Sequence, residues 1–187
     1  MGSSGIKKDK HFPTFALDNF IRRLFDKPDK YCKYARQDQV VADLGCGPGY
    51  FTFRLADTVG NKGRVYAVDS DEKAIRSVEK KAKNRGYQNI ESHVASAARL
   101  GFIKDESIDF VPADGLLCCV AQNEHTDVVK EIRRIMKPDG KALLVTGRGS
   151  ISYVDDKEWE TMLNEFKVEQ RNYAPYKGDR QAIVAKR

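Results

Sequence analysis

The chain contains no run of 18 or more apolar residues. A helix that crosses a bilayer needs about 20, so no membrane span is expected. The N-terminus also lacks the apolar central segment of a secretory leader, which points to the cytoplasm. Only four cysteines are present, Cys32, Cys46, Cys118 and Cys119, and none forms a Cys-x-x-Cys pair. Finger-like spacing of Cys and His is missing as well, so no metal site is expected. The neighbours Cys118 and Cys119 make a poor disulfide on geometry. All four cysteines therefore read as reduced thiols. The Cys118–Cys119 pair reads as small buried residues, with a soft metalloid or thiol ligand as the sharper alternative. Internal repeats and low-complexity linkers are absent too.

What remains is an ordinary globular composition. A length of 187 residues suits one domain, and 41% hydrophobic residues supply a core. Lys and Arg outnumber Asp and Glu, 33 to 27, for a net charge of +6. An acidic or nucleic-acid partner would use such a surplus. The basic residues are dispersed, however: Lys7, Lys8 and Lys10 fall in a tail, and Lys80, Lys81, Lys83 and Arg85 fall on the solvent side of an expected helix. The opening Met1-Gly2-Ser3-Ser4-Gly5 is small and polar, reads as a cloning scar, and stands outside the fold. Nothing in the pattern specifies an oligomeric state.

Residues 1–13 read as a tail and 14–187 as one domain. Within that domain, 14–38 form a helical N-terminal cap, with Phe15, Phe20, Ile21, Leu24 and Phe25 at helical spacing. A core follows over 39–146. Strands are expected at 39–44, 64–68, 89–95, 108–113 and 141–146, and helices at 50–59, 71–85 and 126–136. Gly60 and Gly86 are placed to end the first two helices. Lys137-Pro138-Asp139-Gly140 reads as a turn that stops the third. Residues 147–187 carry a short helix around Trp159 and two closing strands, 166–171 and 181–185, joined by a loop with Pro175 and Gly178. Alternating strands and helices imply a parallel sheet covered on both faces. The last two strands have no helix between them and should form an antiparallel hairpin at the edge. Pro112 conflicts with a central fourth strand, because proline donates no ladder hydrogen bond. The expectation is that this strand ends at or just before it.

The sharpest local signal is Val40-Val41-Ala42-Asp43-Leu44-Gly45-Cys46-Gly47-Pro48-Gly49. An apolar strand runs into a turn with glycine at every second position, then into a helix. Glycines permit positive φ and close approach of a ligand to backbone. The helix start is expected to offer N–H groups to an anionic group. Asp69 ends the next strand, 20 residues beyond Gly49, where a carboxylate can accept from both hydroxyls of a ribose. The spacing is Gly-x-Gly-x-Gly, and dinucleotide binders use Gly-x-Gly-x-x-Gly. That disfavours a nicotinamide oxidoreductase.

The segment from Val40 to Val145 resembles the class I, Rossmann-like methyltransferases that use S-adenosylmethionine, in particular the small type 11 or ubiquinone-biosynthesis-like group. Residues 41–49 are similar to its first motif. Val65-Tyr66-Ala67-Val68-Asp69 resembles the second, and Ile135-Met136-Lys137-Pro138-Asp139-Gly140-Lys141 resembles the turn before its fifth strand. The resemblance implies an α/β fold with a seven-stranded, mostly parallel sheet, an antiparallel C-terminal hairpin, helices on both faces and an N-terminal helical lid. It implies S-adenosylmethionine as cofactor and S-adenosylhomocysteine as product. Asp43, Gly45, Cys46, Gly47 and Gly49 would meet the methionine end and Asp69 the ribose. Ser70, Ser96 and Ala97 would lie by the adenine. Ser70 stands where the family often has an apolar residue, and Ser96 where it usually has an acid.

Methyl transfer from a sulfonium expels a neutral thioether, so the protein's main task is alignment. A base is needed only for a protonated nucleophile. The loop 113–119 is the expected wall of the acceptor pocket. Asp114 is a weak candidate there for orienting the cofactor or acting as a base, with a plain loop carboxylate as the commoner role. His125 is expected in solvent near a helix start, and His11 and Phe12 could close over the cofactor. The fourth-strand loop lacks the Asn/Asp-Pro-Pro-Tyr/Phe signature, which favours a small-molecule acceptor. An RNA or protein methyltransferase and a non-catalytic S-adenosylmethionine-binding module are the alternatives.

Overall fold

A computed structural model describes residues 32–146, 154–173 and 180–187. Seven strands form one sheet: β1 (Val40–Leu44), β2 (Arg64–Asp69), β3 (Ile90–Val94), β4 (Ile108–Asp114), β5 (Met136–Thr146), β6 (Lys167–Tyr173) and β7 (Arg180–Ala185). Among the described residues four α-helices connect them: α1 (Thr52–Val59), α2 (Glu72–Arg85), α3 (His125–Ile135) and α4 (Asp156–Leu163). The strand order is β3-β2-β1-β4-β5-β7-β6. The first five strands pair in parallel, and β7 runs antiparallel to both β5 and β6. The order reverses between β1 and β4, and in an open α/β sheet that reversal opens a crevice beyond the carboxyl ends of the two strands. Among the described residues no helix is long and apolar enough to cross a membrane. Of the expected helical lid over 14–38, residues 14–31 lie outside the described residues, as do His11, Phe12 and the loop with Pro175 and Gly178.

Alternation along each strand explains why the sheet is covered twice. Ala42, Leu44, Val111, Ala113, Ala142, Leu144, Ala182 and Val184 pack on one face with Val128, Ile132 and Ile135 of α3 and Trp159 and Leu163 of α4. Val41, Phe110, Leu143, Val145 and Ile183 point to the other face, where Leu55, Ala56 and Val59 of α1 meet them, with Cys32 and Ala35 packed alongside. A strand buried on both faces reads as a continuous apolar run, which is why β1, β4 and β5 were visible from sequence. The edge strand β6 is the polar one: Lys167, Glu169 and Arg171 are exposed along it, a composition that discourages pairing with another chain.

The helix ends follow local chemistry. Asp71 caps α2 by accepting from the Lys73 N–H at 2.8 Å. Gly86 ends the helix in the left-handed region, φ 75°, with its N–H on the Ala82 and Lys83 carbonyls. Asp155 caps α4 by accepting from the Glu158 N–H at 2.7 Å. Asn89, buried beyond α2, donates to the carbonyls of Ala56 and Gly60 at 2.9 Å each and so ties off the end of α1.

Two boundary expectations are corrected. Pro112 lies inside β4, opposite Leu143, and the strand continues to Asp114. The β4–β5 ladder runs through this position, while the registered β1–β4 pairing stops at Val41–Phe110. The missing donor therefore falls on the β1 side, where the ladder ends, and the β4–β5 ladder is left intact. Residues 137–140 do not separate α3 from β5 either. The helix passes directly into the strand, and these residues are a bulge within it: Ile108 faces Met136 and Phe110 faces Lys141, so two steps on β4 oppose five on β5. Asp109 fills the gap, bonded to Lys137 Nζ at 2.7 Å and to the Val40 N–H at 2.8 Å. A side chain at Gly140 would come within 2.8 Å of the Ile108 carbonyl.

The connection from β3 to β4 is pinned to α3 by one guanidinium. Arg134 donates to Glu131 at 2.6 and 2.9 Å, to Asp105 at 2.6 Å, and to the carbonyls of Leu100 and Ile103 at 2.9 Å each. Glu131 also accepts the Leu100 N–H at 2.6 Å. The Arg134 hydrogen bonds, assisted by the Leu100 N–H, hold the Glu131 carboxyl below its ordinary range. Its contribution to stability is therefore full above the unfolded-state value and is lost as pH falls through the lower folded one. Arg134→Ala removes the clamp and leaves the two carbonyls and Glu131 without this partner. A loss of about 2–4 kcal/mol is expected, read as a lower midpoint in urea unfolding at unchanged slope.

Candidate functional site

The carboxyl ends of β1, β2 and β4 each carry an acid. Asp43 is the fourth residue of β1, Asp69 ends β2 and Asp114 ends β4. Between the first two runs the glycine turn. Gly45, Gly47 and Gly49 take φ of 74°, 52° and 92°, values an L side chain rarely adopts. These angles curl the turn back onto β2, and the N–H groups of Gly45 and Cys46 both donate to the Val68 carbonyl at 2.8 and 3.1 Å.

Asp69 holds this turn in shape. One carboxylate oxygen accepts the Gly47 N–H at 2.8 Å, and the other accepts the Asp71 N–H at 2.8 Å. Asp43 is buried, 3% exposed, and accepts from Thr52 Oγ1 at 2.7 Å. Gly49 closes the turn through its N–H to the Cys46 carbonyl at 3.1 Å. Lys81 reaches back from α2 to the Pro48 carbonyl at 2.9 Å. Sequence placed Lys81 on the solvent side with Lys80, Lys83 and Arg85; it is half-buried against the turn, and the other three are exposed.

The N–H groups of Gly45, Cys46, Gly47 and Gly49 already donate within the protein, so the turn is not a nest of donors for an anion. Its surroundings are acidic. Burial pushes the Cys46 thiol well above its ordinary range, and the carboxylates of Asp43 and Asp69 push it further. Carboxylates gathered around a glycine turn suit a ligand that brings positive charge and hydroxyl donors. They do not suit the pyrophosphate of a dinucleotide.

The other residues singled out from sequence are distributed around the same end of the sheet. Ser70 is exposed just after β2. Ser96 follows β3, and its hydroxyl accepts the Ala98 N–H at 3.2 Å. Ala97 is buried and packs in the cluster that holds Leu44 and Val68. Asp114 is half-buried opposite Val145. Gly115 turns the chain with φ 72° and sets Leu116 against the glycine turn, where a Cβ on Gly45 would meet Leu116 Cδ1 at 3.3 Å. The loop after β4 is thus in contact with the loop after β1.

Residues 35–183 match the family described as methyltransferase domain. The chain belongs to that family. A demethylmenaquinone methyltransferase of Geobacillus stearothermophilus is 36% identical over 98 residues, covering 52% of this chain and 41% of that protein. One from Lactobacillus johnsonii is 31% identical over 125 residues, covering 66% of this chain and 50% of that protein. The matches thus span half or less of these curated relatives. Among solved structures, a SAM-dependent methyltransferase from Aquifex aeolicus superposes with a TM-score of 0.74 at 21% identity, covering 92% of this chain and 97% of that one. At that identity the likeness establishes the fold, the Rossmann-like class I sheet.

Two features of this methyltransferase domain were misjudged or missed from sequence. His125 begins α3 as expected but is buried, 2% exposed. Its Nδ1 lies 2.8 Å from Glu158 Oε1 of α4 and its Nε2 lies 3.2 Å from the Val120 carbonyl. The packing of α4 over the helix start removes it from solvent, and a partner 33 residues away satisfies it. The pair Cys118–Cys119 is also misjudged. Cys119 is exposed and Cys118 half-buried, whereas Cys32 and Cys46 are the buried thiols. Among the described residues no group of three or more His, Cys, Asp or Glu could hold a metal ion.

Proposed function

We propose that this chain transfers a methyl group from S-adenosylmethionine to a small-molecule acceptor and releases S-adenosylhomocysteine. The observation that carries the reading is the acidic crevice at the sheet's reversal point, in a chain of the methyltransferase-domain family. Asp43, with the carbonyls of the glycine turn, receives the ammonium of the methionine end. Asp69 receives the ribose hydroxyls. Ser70, Ser96 and Ala97 flank the adenine. Bound there, the cofactor supplies an electrophilic methyl on a sulfonium. The chain's own task is to hold that methyl in line with the acceptor and exclude water. Asp114, at the end of β4, faces this task as the candidate that orients the acceptor or takes its proton.

A small acceptor is supported by the names of the curated relatives, which are demethylmenaquinone methyltransferases. The basic residues give little support to a polymer, because Arg64, Arg133, Arg134, Lys137 and Lys141 each sit against a carboxylate and do not combine into an open basic face. Calorimetric titration should show one S-adenosylhomocysteine per chain and no heat with NADH. Transfer of labelled methyl should follow with a hydroxylated aromatic or quinol panel and not with total RNA or denatured protein. No binding of either adenosyl compound would end the reading, and label entering RNA or protein would replace the acceptor class.

A further inference from the structure

His125 opens α3 with its ring buried, and its two nitrogens reach two different elements. Nδ1 lies 2.8 Å from Glu158 Oε1 on α4, and Nε2 lies 3.2 Å from the Val120 carbonyl in the loop leaving β4. Val120 closes a tight turn: the N–H groups of Cys119 and Val120 both donate to the Leu116 carbonyl, at 2.9 and 3.1 Å. Leu116 packs on the glycine turn, where a Cβ on Gly45 would meet its Cδ1 at 3.3 Å. The ring thus ties α4 to the loop that rests on the cofactor crevice.

Both of the ring's partners are acceptors. A carbonyl oxygen cannot donate, and neither can an ionised carboxylate. The two contacts can therefore be made together only with a proton on each ring nitrogen. A neutral ring makes one of them and turns a lone pair on the other acceptor. The Glu158 contact is the shorter and is charge-assisted, so it is the one kept. Gln122 Nε2 donates to the second oxygen of Glu158 at 3.4 Å, which leaves Oε1 to the ring. Charged groups on the surrounding elements are engaged elsewhere. Glu124 lies against Arg99 at 3.6 Å and Asp127 against Lys130 at 3.6 Å. On α4, Asp155 caps the helix and Asp156 lies against Arg180 at 2.8 Å. In the loop, Cys118 Sγ donates to the Gly115 carbonyl at 3.1 Å.

We propose that His125 is a positioning residue for the acceptor side of the crevice. With a proton on each nitrogen it holds the loop after β4 in place; as pH rises, the Nε2 proton passes to water and the loop is released while α4 stays docked. That this loop lines an acceptor pocket rests on the methyl-transfer reading. The tie itself does not.

The test follows the whole chain, without ligand, from about pH 5 to 9. Nitrogen-15 spectra count the protons on the ring. Of the three histidines, His11, His93 and His125, the signal of His125 is the one that persists in the His11→Gln/His93→Gln double variant. Hydrogen exchange, corrected for its intrinsic pH dependence, reads the Cys119 and Val120 amides. Two ring protons are expected at the acid end and one, on Nδ1, at the alkaline end. Protection of the two amides should fall about 10-fold in the same step. Fluorescence of Trp159, the single tryptophan and a residue of α4, should not change. In Glu158→Gln the side-chain amide can donate to Nδ1, so a neutral ring keeps its Nε2 proton on Val120. The step in loop protection should then vanish, and at the alkaline end protection should stand about 10-fold above the parent. A ring that never carries two protons, loop protection that does not follow the ring, or a step of equal size in Glu158→Gln would each overturn the proposal. The two readouts on the parent chain decide it even if the variant fails to fold. A failed S-adenosylhomocysteine titration would instead end the methyl-transfer reading and leave the tie standing.

Discussion

Asp69→Ala is expected to weaken S-adenosylhomocysteine binding by about 100-fold or more. Under the proposed function this carboxylate accepts from the ribose, and hydrogen bonds to a charged group contribute about 1.5–3 kcal/mol each. The same two oxygens also hold the Gly47 and Asp71 N–H groups at 2.8 Å, so the substitution loosens the turn as well. Asp69→Asn separates the two effects. An amide keeps one acceptor oxygen for the turn and gives up the charge and the second acceptor, and it should fall between the parent and the alanine variant. The measurement is a calorimetric titration of each variant, with thermal unfolding recorded alongside. Binding within about threefold of the parent in a folded Asp69→Ala chain would remove Asp69 from the cofactor site.

Gly49→Ala is expected to lose stability through backbone strain and overpacking together. Its φ of 92° lies where L residues are strained, and the added Cβ would stand 2.6 Å from Phe53 Cε2 and 3.2 Å from Val78 Cγ2. Both neighbours are buried, at 7% and 0% exposure, so neither has room to move away. Backbone strain of about 1–3 kcal/mol adds to overpacking of similar size. A total of about 3 kcal/mol is expected, or roughly 10 °C in Tm for a chain of this length. Gly115→Ala is the control. It shares a positive φ, 72°, but its Cβ would meet nothing within 4 Å, so it should lose only about 1–2 kcal/mol. Equal losses for the two would mean that the Phe53 contact does not shape the turn.

The parts of this fold that could be read from sequence are those written by neighbours along the chain. The runs 40–44, 64–68 and 141–146 announced buried strands because both of their faces are apolar. Gly45, Gly47 and Gly49 announced the turn because glycine takes positive φ at the least cost, and Asp69 announced its partner by ending the next strand. What was misread depends on residues far away in sequence. His125 reads as a surface helix start until Glu158 covers it. Lys81 reads as solvated until Pro48 comes within reach. Pro112 reads as a strand breaker because the sequence does not reveal on which side its missing donor falls. The bulge at 137–140 reads as a plain turn because its dipeptide chemistry is that of a turn, and only the register against β4 reveals that the strand has already begun.

The placement of β7 between β5 and β6 has a consequence for biosynthesis. Translation delivers β6 before β7, yet β6 has no other strand to join. The ribosome adds about 5–20 residues per second. For roughly one to four seconds the nascent polypeptide therefore carries β5 with an open flank and β6 with no partner at all. Exposed flanks of this kind invite pairing with foreign strands. Because β7 is the strand that pairs with both β5 and β6, β6 reaches the sheet only through it, and neither neighbour can be paired as in the final sheet until β7 is made.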